Sequence, residues 1–260
     1  MSNYFPDYTN STIVDAAKRS RVAILPIGTV ESNGPHQLLG CDYILAEEIA
    51  KTVAANTDAV RLPTLHYGVS ELHGGLPGTI ALTESLFAEL VEAVLRGAAT
   101  NGFTRIIALN CHRHNHQPLE VLGRKLRRAG VADLAVIDPL EAVRDLRGDL
   151  FAADTKAAVG HGGEPLMSLI CHLRPDQVDL AAIGPATLEP VGGLKALSST
   201  RFVFGEGKVG LFPLAEEINA TGAWADVSNS TPERGAVAFA AVSDFVAEFV
   251  RAFQDMDMTV

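Results

Sequence analysis

The sequence predicts an α/β protein with a mainly parallel central sheet that helices cover on both faces. Apolar runs of a length typical of buried strands alternate along the chain with longer segments of helical periodicity. The runs are nearly continuous in apolar residues, which is typical of parallel strands that are buried on both faces. With 260 residues, 47% of them hydrophobic, the chain can bury a full core.

Four apolar runs are the strand candidates. They are residues 21–27 (RVAILPI), 58–65, 104–110 (TRIIALN) and 133–138. Because parallel strands end at the same edge of a sheet, the residues that follow these runs are the ones expected to bind a ligand.

Three segments between the strands have the periodicity of helices that face a core. Residues 83–99 place Phe87 and Val91 on one face and begin with a threonine that can cap the first turn. Segments 43–55 and 117–129 follow the same pattern. We therefore expect a helix after each of the first three strands.

The C-terminal part contains one clear helix and one irregular segment. Residues 230–233 (STPE) supply a cap, a first-turn proline and an acid, and they predict a helix that runs to about Phe253. Residues 175–225 are interrupted by prolines and glycines, so we expect a small sheet or an extended arm there. With no repeat or linker, residues 1–260 are expected to form a single domain.

The net charge and the cysteine content indicate which classes of partner and which compartment suit the protein. A net charge of −10 disfavours binding to nucleic acid, and no apolar stretch is long enough to span a membrane. Three widely spaced cysteines predict neither a disulfide framework nor a thiolate zinc site. With no leader-like N-terminus, these features favour a cytoplasmic protein that acts on a small molecule.

Ligand-type side chains collect in three places that are expected to meet at one edge of the sheet. Residues 28–36 (GTVESNGPH) follow the first strand, with Asp42 just beyond, residues 110–116 (NCHRHNH) follow the third, and residues 160–165 (GHGGEP) precede a helix. Five of the eight histidines lie in these segments. Carboxylates combined with imidazoles suit a divalent transition metal, with zinc, manganese and iron all compatible.

Other catalytic signatures are missing from the sequence. No GxGxxG follows the first strand, and neither a P-loop nor a GxSxG nucleophile elbow is present. Cys111 precedes His112 directly, but adjacent side chains diverge, so a buried and unreactive cysteine is expected. The metal interpretation is therefore favoured.

Taken together, the motifs resemble the creatininase (creatinine amidohydrolase) family. The resemblance extends over roughly residues 20–250. The matching segments, in order, are residues 28–42 (GTVESNGPHQLLGCD), 67–82 (YGVSELHGGLPGTIAL), 110–115 (NCHRHN), 161–164 (HGGE), 222–226 (GAWAD) and 231–235 (TPERG).

The resemblance implies a three-layer αβα fold, creatininase-like, with a divalent metal centre that is usually binuclear. It further implies hydrolysis of a C–N bond, and a homo-oligomer that is commonly a hexamer. By position, Glu31, Asp42 and His112 correspond to the ligands of the first metal, with Asp42 the usual bridge to the second.

The second metal position departs from the family pattern. Asn33 stands where the family has histidine, His114 stands where creatininase has a carboxylate, and His36 lies nearby. Because an amide is a poor ligand, these three residues are open candidates for the second site, and we expect one or two metals per chain. Leu166 stands where the family has an acid, which removes a charge from the pocket.

The main hypothesis is metal-assisted hydrolysis of a small amide, lactam or formamide. A bound metal would lower the pKa of its water toward about 7. His161 or Glu164 is expected to carry the proton to the leaving nitrogen. The residues expected to contact the substrate are Arg113, His73 and Thr79.

Two other functions remain open on the sequence. One is an iron(II)-dependent oxidation or isomerisation, with Asp42 or Glu31 and the pair His112 and His114 as ligands. The other is a non-catalytic binding or assembly protein on a degraded family site. The loss at Asn33 favours that second alternative, whereas the retained carboxylates oppose it.

Overall fold

A four-stranded parallel sheet lies at the centre of the fold in the computed structural model, which describes residues 3–152 and 160–258. Its strands are β1 (Val22–Ile27), β2 (Val60–Arg61), β3 (Arg105–Asn110) and β4 (Asp133–Ile137), in the order β2–β1–β3–β4. β1 pairs with β3 along its whole length, with Ile27 opposite Asn110. The loops that follow these two strands therefore start side by side.

Helices cover both faces of this sheet. In the described residues the helices are α1 (Thr12–Arg19), α2 (Cys41–Ala55), α3 (Glu84–Thr100), α4 (His116–Arg128), α5 (Pro139–Arg147), α6 (Leu166–Leu173), α7 (Ala215–Ile218) and α8 (Pro232–Asp255). Val22 and Ile24 pack with α2, α6 and α8, whereas Ala23 and Leu25 pack with α1, α3 and α4. Because successive strand residues face opposite ways, the two cores lie on opposite sides of the sheet. The three-layer αβα prediction is confirmed.

The predicted helix starts have the expected caps. The Thr83 hydroxyl accepts a hydrogen bond from the Leu86 amide, and α3 begins at the next residue. The Thr231 hydroxyl accepts one from the Arg234 amide, and Pro232 opens α8. These bonds satisfy amide groups that have no partner within the helix.

The second strand is shorter than predicted. Only Val60 and Arg61 form a ladder with β1, although Leu65 makes an isolated bridge to Ile27. Pro63 lies between these two contacts and has no amide N–H to donate, so it interrupts the pairing.

The irregular segment contains a small sheet, one of the two forms that the sequence left open for it. Strands β5 (Ala196–Ser198), β6 (Arg201–Phe204) and β7 (Gly207–Gly210) pair antiparallel in that order. Across residues 3–152 and 160–258, no helix combines the length and the apolar composition that crossing a bilayer would require.

α6 and α8 approach each other closely at Gly235. A Cβ atom built at Gly235 would lie 1.9 Å from the carbonyl oxygen of Ser168 and 2.8 Å from the Cβ of His172. Only glycine allows this separation without a shift of the backbone. Since α6 follows residues 160–165 directly, this contact also positions a loop that the sequence assigned to the site.

We expect Gly235→Ala to lower the free energy of unfolding by about 1–3 kcal/mol or more, because the added methyl group overpacks the contact between α6 and α8. Gly97→Ala is the matched control, since it lies within α3 with open space around the Cβ position. That change should raise the stability by about 0.5–1 kcal/mol through helix propensity. Denaturant unfolding measures both, and equal effects would contradict the assigned contact.

Candidate active site

A cavity of about 280 Å³ lies at the carboxyl edge of the sheet, beside β1 and β3. The predicted site residues that line it are Glu31, Asn33, Asp42, His73, His112, Arg113, His114, His161 and Glu164. His36 and Thr79 are not part of this lining. The three segments singled out in the sequence therefore meet in space.

Gly162 allows two of these segments to touch. Its backbone φ of +77° is one that residues with a side chain rarely adopt, and a Cβ atom there would lie 2.7 Å from the carbonyl oxygen of Asn33. The backbone of residues 160–165 thus packs directly on that of residues 28–36, which brings His161 within reach of Glu31.

The carboxylate of Glu31 occupies the centre of the site and is only 1% exposed. Oε1 accepts a hydrogen bond from His161 Nε2 at 2.9 Å and lies 3.5 Å from His112 Nδ1. Oε2 accepts one from the hydroxyl of Ser70 and lies 3.3 Å from His73 Nδ1. Burial alone would raise the pKa of Glu31, but the charge of His112 and the bonds from His161 and His73 lower it well below its usual value.

Asp42 lies in the first turn of α2, next to His112. Its Oδ2 is 2.9 Å from His112 Nδ1. Burial, with a contribution from the charge of Glu31, raises the pKa of Asp42 despite the hydrogen bond from His112. The helix N-terminus favours a negative charge at this position.

His112 and His161 each have an acceptor at both ring nitrogens. The Nε2 of His112 lies 2.7 Å from the Val69 carbonyl oxygen, and the Nδ1 of His161 lies 2.5 Å from that of Gly222. An imidazole that faces two acceptors satisfies both only when both nitrogens carry protons. Burial opposes this charge, but Glu31 and Asp42 outweigh it and raise the pKa of His112 to about 9.

Two groups of side chains have the composition and spacing to hold a cation. One comprises Glu31, Asp42 and His112, and the other comprises Glu31, His73 and His161. Within each group the ligand atoms lie within 4.8 Å of one another, and Glu31 belongs to both.

His73 tests whether the residues fit a divalent metal. Its ring is 2% exposed, Nδ1 lies 3.3 Å from Glu31 Oε2, and among the described residues Nε2 has no hydrogen-bond partner. It stacks on His161 with ring centroids 4.1 Å apart. Because a buried unsatisfied nitrogen is costly, a cation beside Glu31 would give this imidazole a partner. The donor set therefore fits a divalent metal.

The histidines after β3 do not form the extended row that their spacing suggested. Residues 113–115 form a 3₁₀ turn that leads into α4, and His116 is the first residue of that helix. His112 and His114 still share the cavity, with ring planes at 83°. Burial and the charge of His112 lower the pKa of His114 to about 4, so His114 is neutral near pH 7.

The remaining second-metal candidates have other contacts. The Asn33 side-chain amide donates to the backbone carbonyl of Glu31 at 3.3 Å. His36 lies behind the cavity wall, with Nε2 2.9 Å from the Gly162 carbonyl oxygen, and its buried Nδ1 has no partner among the described residues.

Glu164 and Thr79 are held by neighbouring groups. Oε1 of Glu164 accepts hydrogen bonds from the hydroxyls of Ser168 at 2.7 Å and Ser230 at 2.8 Å. The hydroxyl of Thr79 accepts from the Ser32 amide at 3.0 Å, which braces the loop after β1 from outside the cavity.

The structure adds site residues that the sequence analysis did not assign. Ser70 bonds to Glu31, Trp224 lies 5.2 Å from the His161 ring between centroids, and Arg144 of α5 lines the cavity. Ser70 and Trp224 fall within motifs already noted, at 67–82 and 222–226, so their position was a usable signal. Nothing in the sequence marks Arg144.

Comparison with known proteins gives matches along most of the chain. Residues 6–250 match the model of the Creatininase family, described as creatinine amidohydrolase. Creatinine amidohydrolase of Pseudomonas putida is 30% identical over 190 residues, which are 65% of this chain and 72% of that protein. The 3-dehydro-scyllo-inosose hydrolase of Thermotoga maritima is 31% identical over 110 residues, 42% of this chain and 35% of that protein.

A third relative is a mycofactocin precursor peptide peptidase from Mycolicibacterium smegmatis, 30% identical over 164 residues and 60% of each chain. Among solved structures, creatinine amidohydrolase (creatininase) superposes with a TM-score of 0.78 at 23% identity, covering 98% of this chain and 99% of that one. A structure described as creatininase Mn gives the same TM-score and identity, and the superposition covers 98% of this chain and 100% of that one. These superpositions establish the fold.

The raised pKa of His112 makes the stability of the metal-free protein depend on pH. The stabilisation is complete below the unfolded value of 6.5 and is lost as the pH rises through about 9. We expect EDTA-treated protein to lose up to about 3 kcal/mol of unfolding free energy over this range. Denaturant titrations should show a flatter profile for His112→Gln. His172→Gln, on the exposed side of α6, is the control, and parallel profiles for all three proteins would contradict the charge assignment.

Proposed function

The chain belongs to the creatininase family, and from that premise we propose that it is a metal-dependent hydrolase that cleaves a C–N bond of a small amide, lactam or formamide. The observation that carries the proposal is the buried group of Glu31, Asp42 and His112 on the wall of the cavity. Two carboxylates and an imidazole with neighbouring ligand atoms form a donor set suited to zinc, manganese or iron(II).

Glu31, Asp42 and His112 would hold the metal. A divalent ion bound there supplies a Lewis acid and a water of lowered pKa. The side chains themselves provide the negative charge and the fixed geometry, and Ser70 orients the carboxylate of Glu31. For a second ion we propose His114 as the strongest candidate, since it is neutral and faces the cavity, with Asn33 and His36 contributing less.

We propose His161 as the residue that carries the proton to the leaving nitrogen. Its Nε2 faces the cavity side of Glu31, and its Nδ1 is anchored on the Gly222 carbonyl oxygen. The neighbouring carboxylate raises the pKa of His161 against the effect of burial, which makes the ring a stronger base that can take up a proton and pass it on. Glu164, engaged by Ser168 and Ser230, is better suited to hold α6 and α8 in place.

The substrate would enter the cavity beside these groups. We propose that Arg113 and His73, both on the lining, contact it directly. Thr79 would act at one remove, by holding the backbone of Ser32.

We also propose that the protein works as a cytoplasmic homo-oligomer of the hexameric kind that the family resemblance implies. Cys41, Cys111 and Cys171 are buried free thiols, which suits a reducing compartment. Phe204, the last residue of β6, and Phe212, just after β7, are 64% and 83% exposed, and exposed apolar side chains of this size are typical of subunit contacts. Light scattering of the purified protein measures the number of copies.

An iron(II) enzyme that does not hydrolyse its substrate is the second candidate. Glu31, His73 and His161 form a two-histidine, one-carboxylate group of the type that binds iron(II) in oxygenases. Iron content together with oxygen consumption would identify this chemistry, and their absence in an active preparation would exclude it.

We expect Glu31→Gln to lose the bound metal, because the substitution removes the charge common to both ligand groups while keeping the shape of the side chain. Elemental analysis of the parent should give at least one transition metal per chain after metal-supplemented expression. Glu120→Gln on the exposed face of α4 is the matched control. A parent protein without metal, or a variant with full metal content, would contradict the proposed centre.

His161→Gln should retain its metal but lower kcat by about 10²–10⁴-fold, the range typical of a lost acid or base. Small cyclic amides and formamides are the test substrates. Loss of metal in this variant and in His73→Gln would instead place the ion on the second ligand group and favour the iron(II) candidate.

A further inference from the structure

Two arginines line the cavity from separate elements. Arg113 follows His112 in the turn after β3, and Arg144 projects from α5. Arg144 Nη2 donates to the backbone carbonyl of Glu164 at 3.1 Å, which fixes one edge of its guanidinium. Within the described ranges, no hydrogen bond or ion pair engages the guanidinium of Arg113.

The two positive charges are close enough to affect each other. Burial lowers the pKa of Arg144, and the charge of Arg113 lowers it further. Asp138 and Glu141 act in the opposite direction, but the carboxylate of Asp138 caps α5 by accepting from the Leu140 and Glu141 amides. The nearest acids therefore do not form an ion pair with either guanidinium in the described residues.

The acids of the cavity wall have other partners. Glu31 and Asp42 face the histidines and would face the metal, and Glu164 accepts from Ser168 and Ser230. Because the carboxylates of the cavity already have partners, they do not neutralise the positive charge of the two guanidiniums. Such a charge in a partly buried space attracts an anion.

We propose that the substrate carries a carboxylate that binds Arg113 and Arg144, so that the substrate class is a small amide or lactam acid. The inference rests on the proposed function, because it requires that the scissile carbonyl lie toward Glu31, Asp42 and His112. Planar guanidiniums bind a carboxylate through paired hydrogen bonds. A cavity of about 280 Å³ suits a molecule of this size.

The test uses matched probes that differ only in charge. N-acetylglycine and 5-oxoproline carry the carboxylate, and their primary carboxamides are the neutral counterparts. Isothermal titration calorimetry on the metal-loaded protein should show each acid binding at least about tenfold more tightly than its amide. Arg113→Gln and Arg144→Gln should each weaken the acids by about 10–100-fold and the amides by less than about twofold, in the range expected for a charge-assisted hydrogen bond.

Arg147→Gln is the matched control, because Arg147 lies on the same helix but pairs with Asp149 outside the cavity. It should change neither affinity. Acids that bind no more tightly than their amides, or arginine variants that leave the acids unaffected, would overturn the proposal. Inorganic phosphate that binds more tightly than both acids, in a manner dependent on the two arginines, would also overturn the carboxylate assignment.

Metal content and hydrolysis of neutral amides, measured on the same preparations, separate this inference from the proposed function. If the metal-bound protein hydrolyses neutral amides and does not prefer acids, the proposed hydrolase function stands and the carboxylate-binding inference is wrong. If acids bind in a manner that depends on the arginines but no substrate is hydrolysed, the anion site stands and the proposed hydrolase function is wrong.

Discussion

The buried carboxylate of Glu31 is the constraint on which the rest of the site depends. A charge at this depth is tolerated only where several partners replace the lost water. Here the partners come from three other parts of the chain: residues 67–82 supply Ser70 and His73, residues 110–116 supply His112, and residues 160–165 supply His161. The close backbone packing at Gly162 and the paired ends of β1 and β3 bring these parts of the chain together around the carboxylate.

The fold was largely readable from the sequence because periodicity and capping are local. Thr83 and Pro232 mark helix starts that the structure confirms. The shortening of β2 at Pro63 could not be predicted in the same way, because it depends on which backbone amides of this segment must hydrogen-bond to β1. The eight-residue α1 went unassigned because it buries only Ile13 and Ala16, too few positions to show a period. Motifs located the site loops, but contacts such as His161 with Glu31 join residues 130 positions apart and are set by packing.

The charges of the site balance in two ways. Without a metal, protonated His112 and His161 offset Glu31 and Asp42, which is why the pKa values of the two histidines rise in spite of burial. A divalent ion would deliver the same positive charge, so its uptake would release protons from these rings. The same wall of the cavity can therefore be neutral in both states. The two arginines of the cavity lining, Arg113 and Arg144, take no part in that exchange, and their charge stays available for a ligand.

Trp224 gives this arrangement an optical consequence. It is the chain's single tryptophan, and its indole lies 5.2 Å from the His161 ring and 6.2 Å from that of His73. All ultraviolet emission from indole therefore originates at the wall of the cavity. Since a nearby imidazolium quenches such emission more than a neutral ring does, the fluorescence of the unmodified protein reports the state of these two histidines directly, without a label.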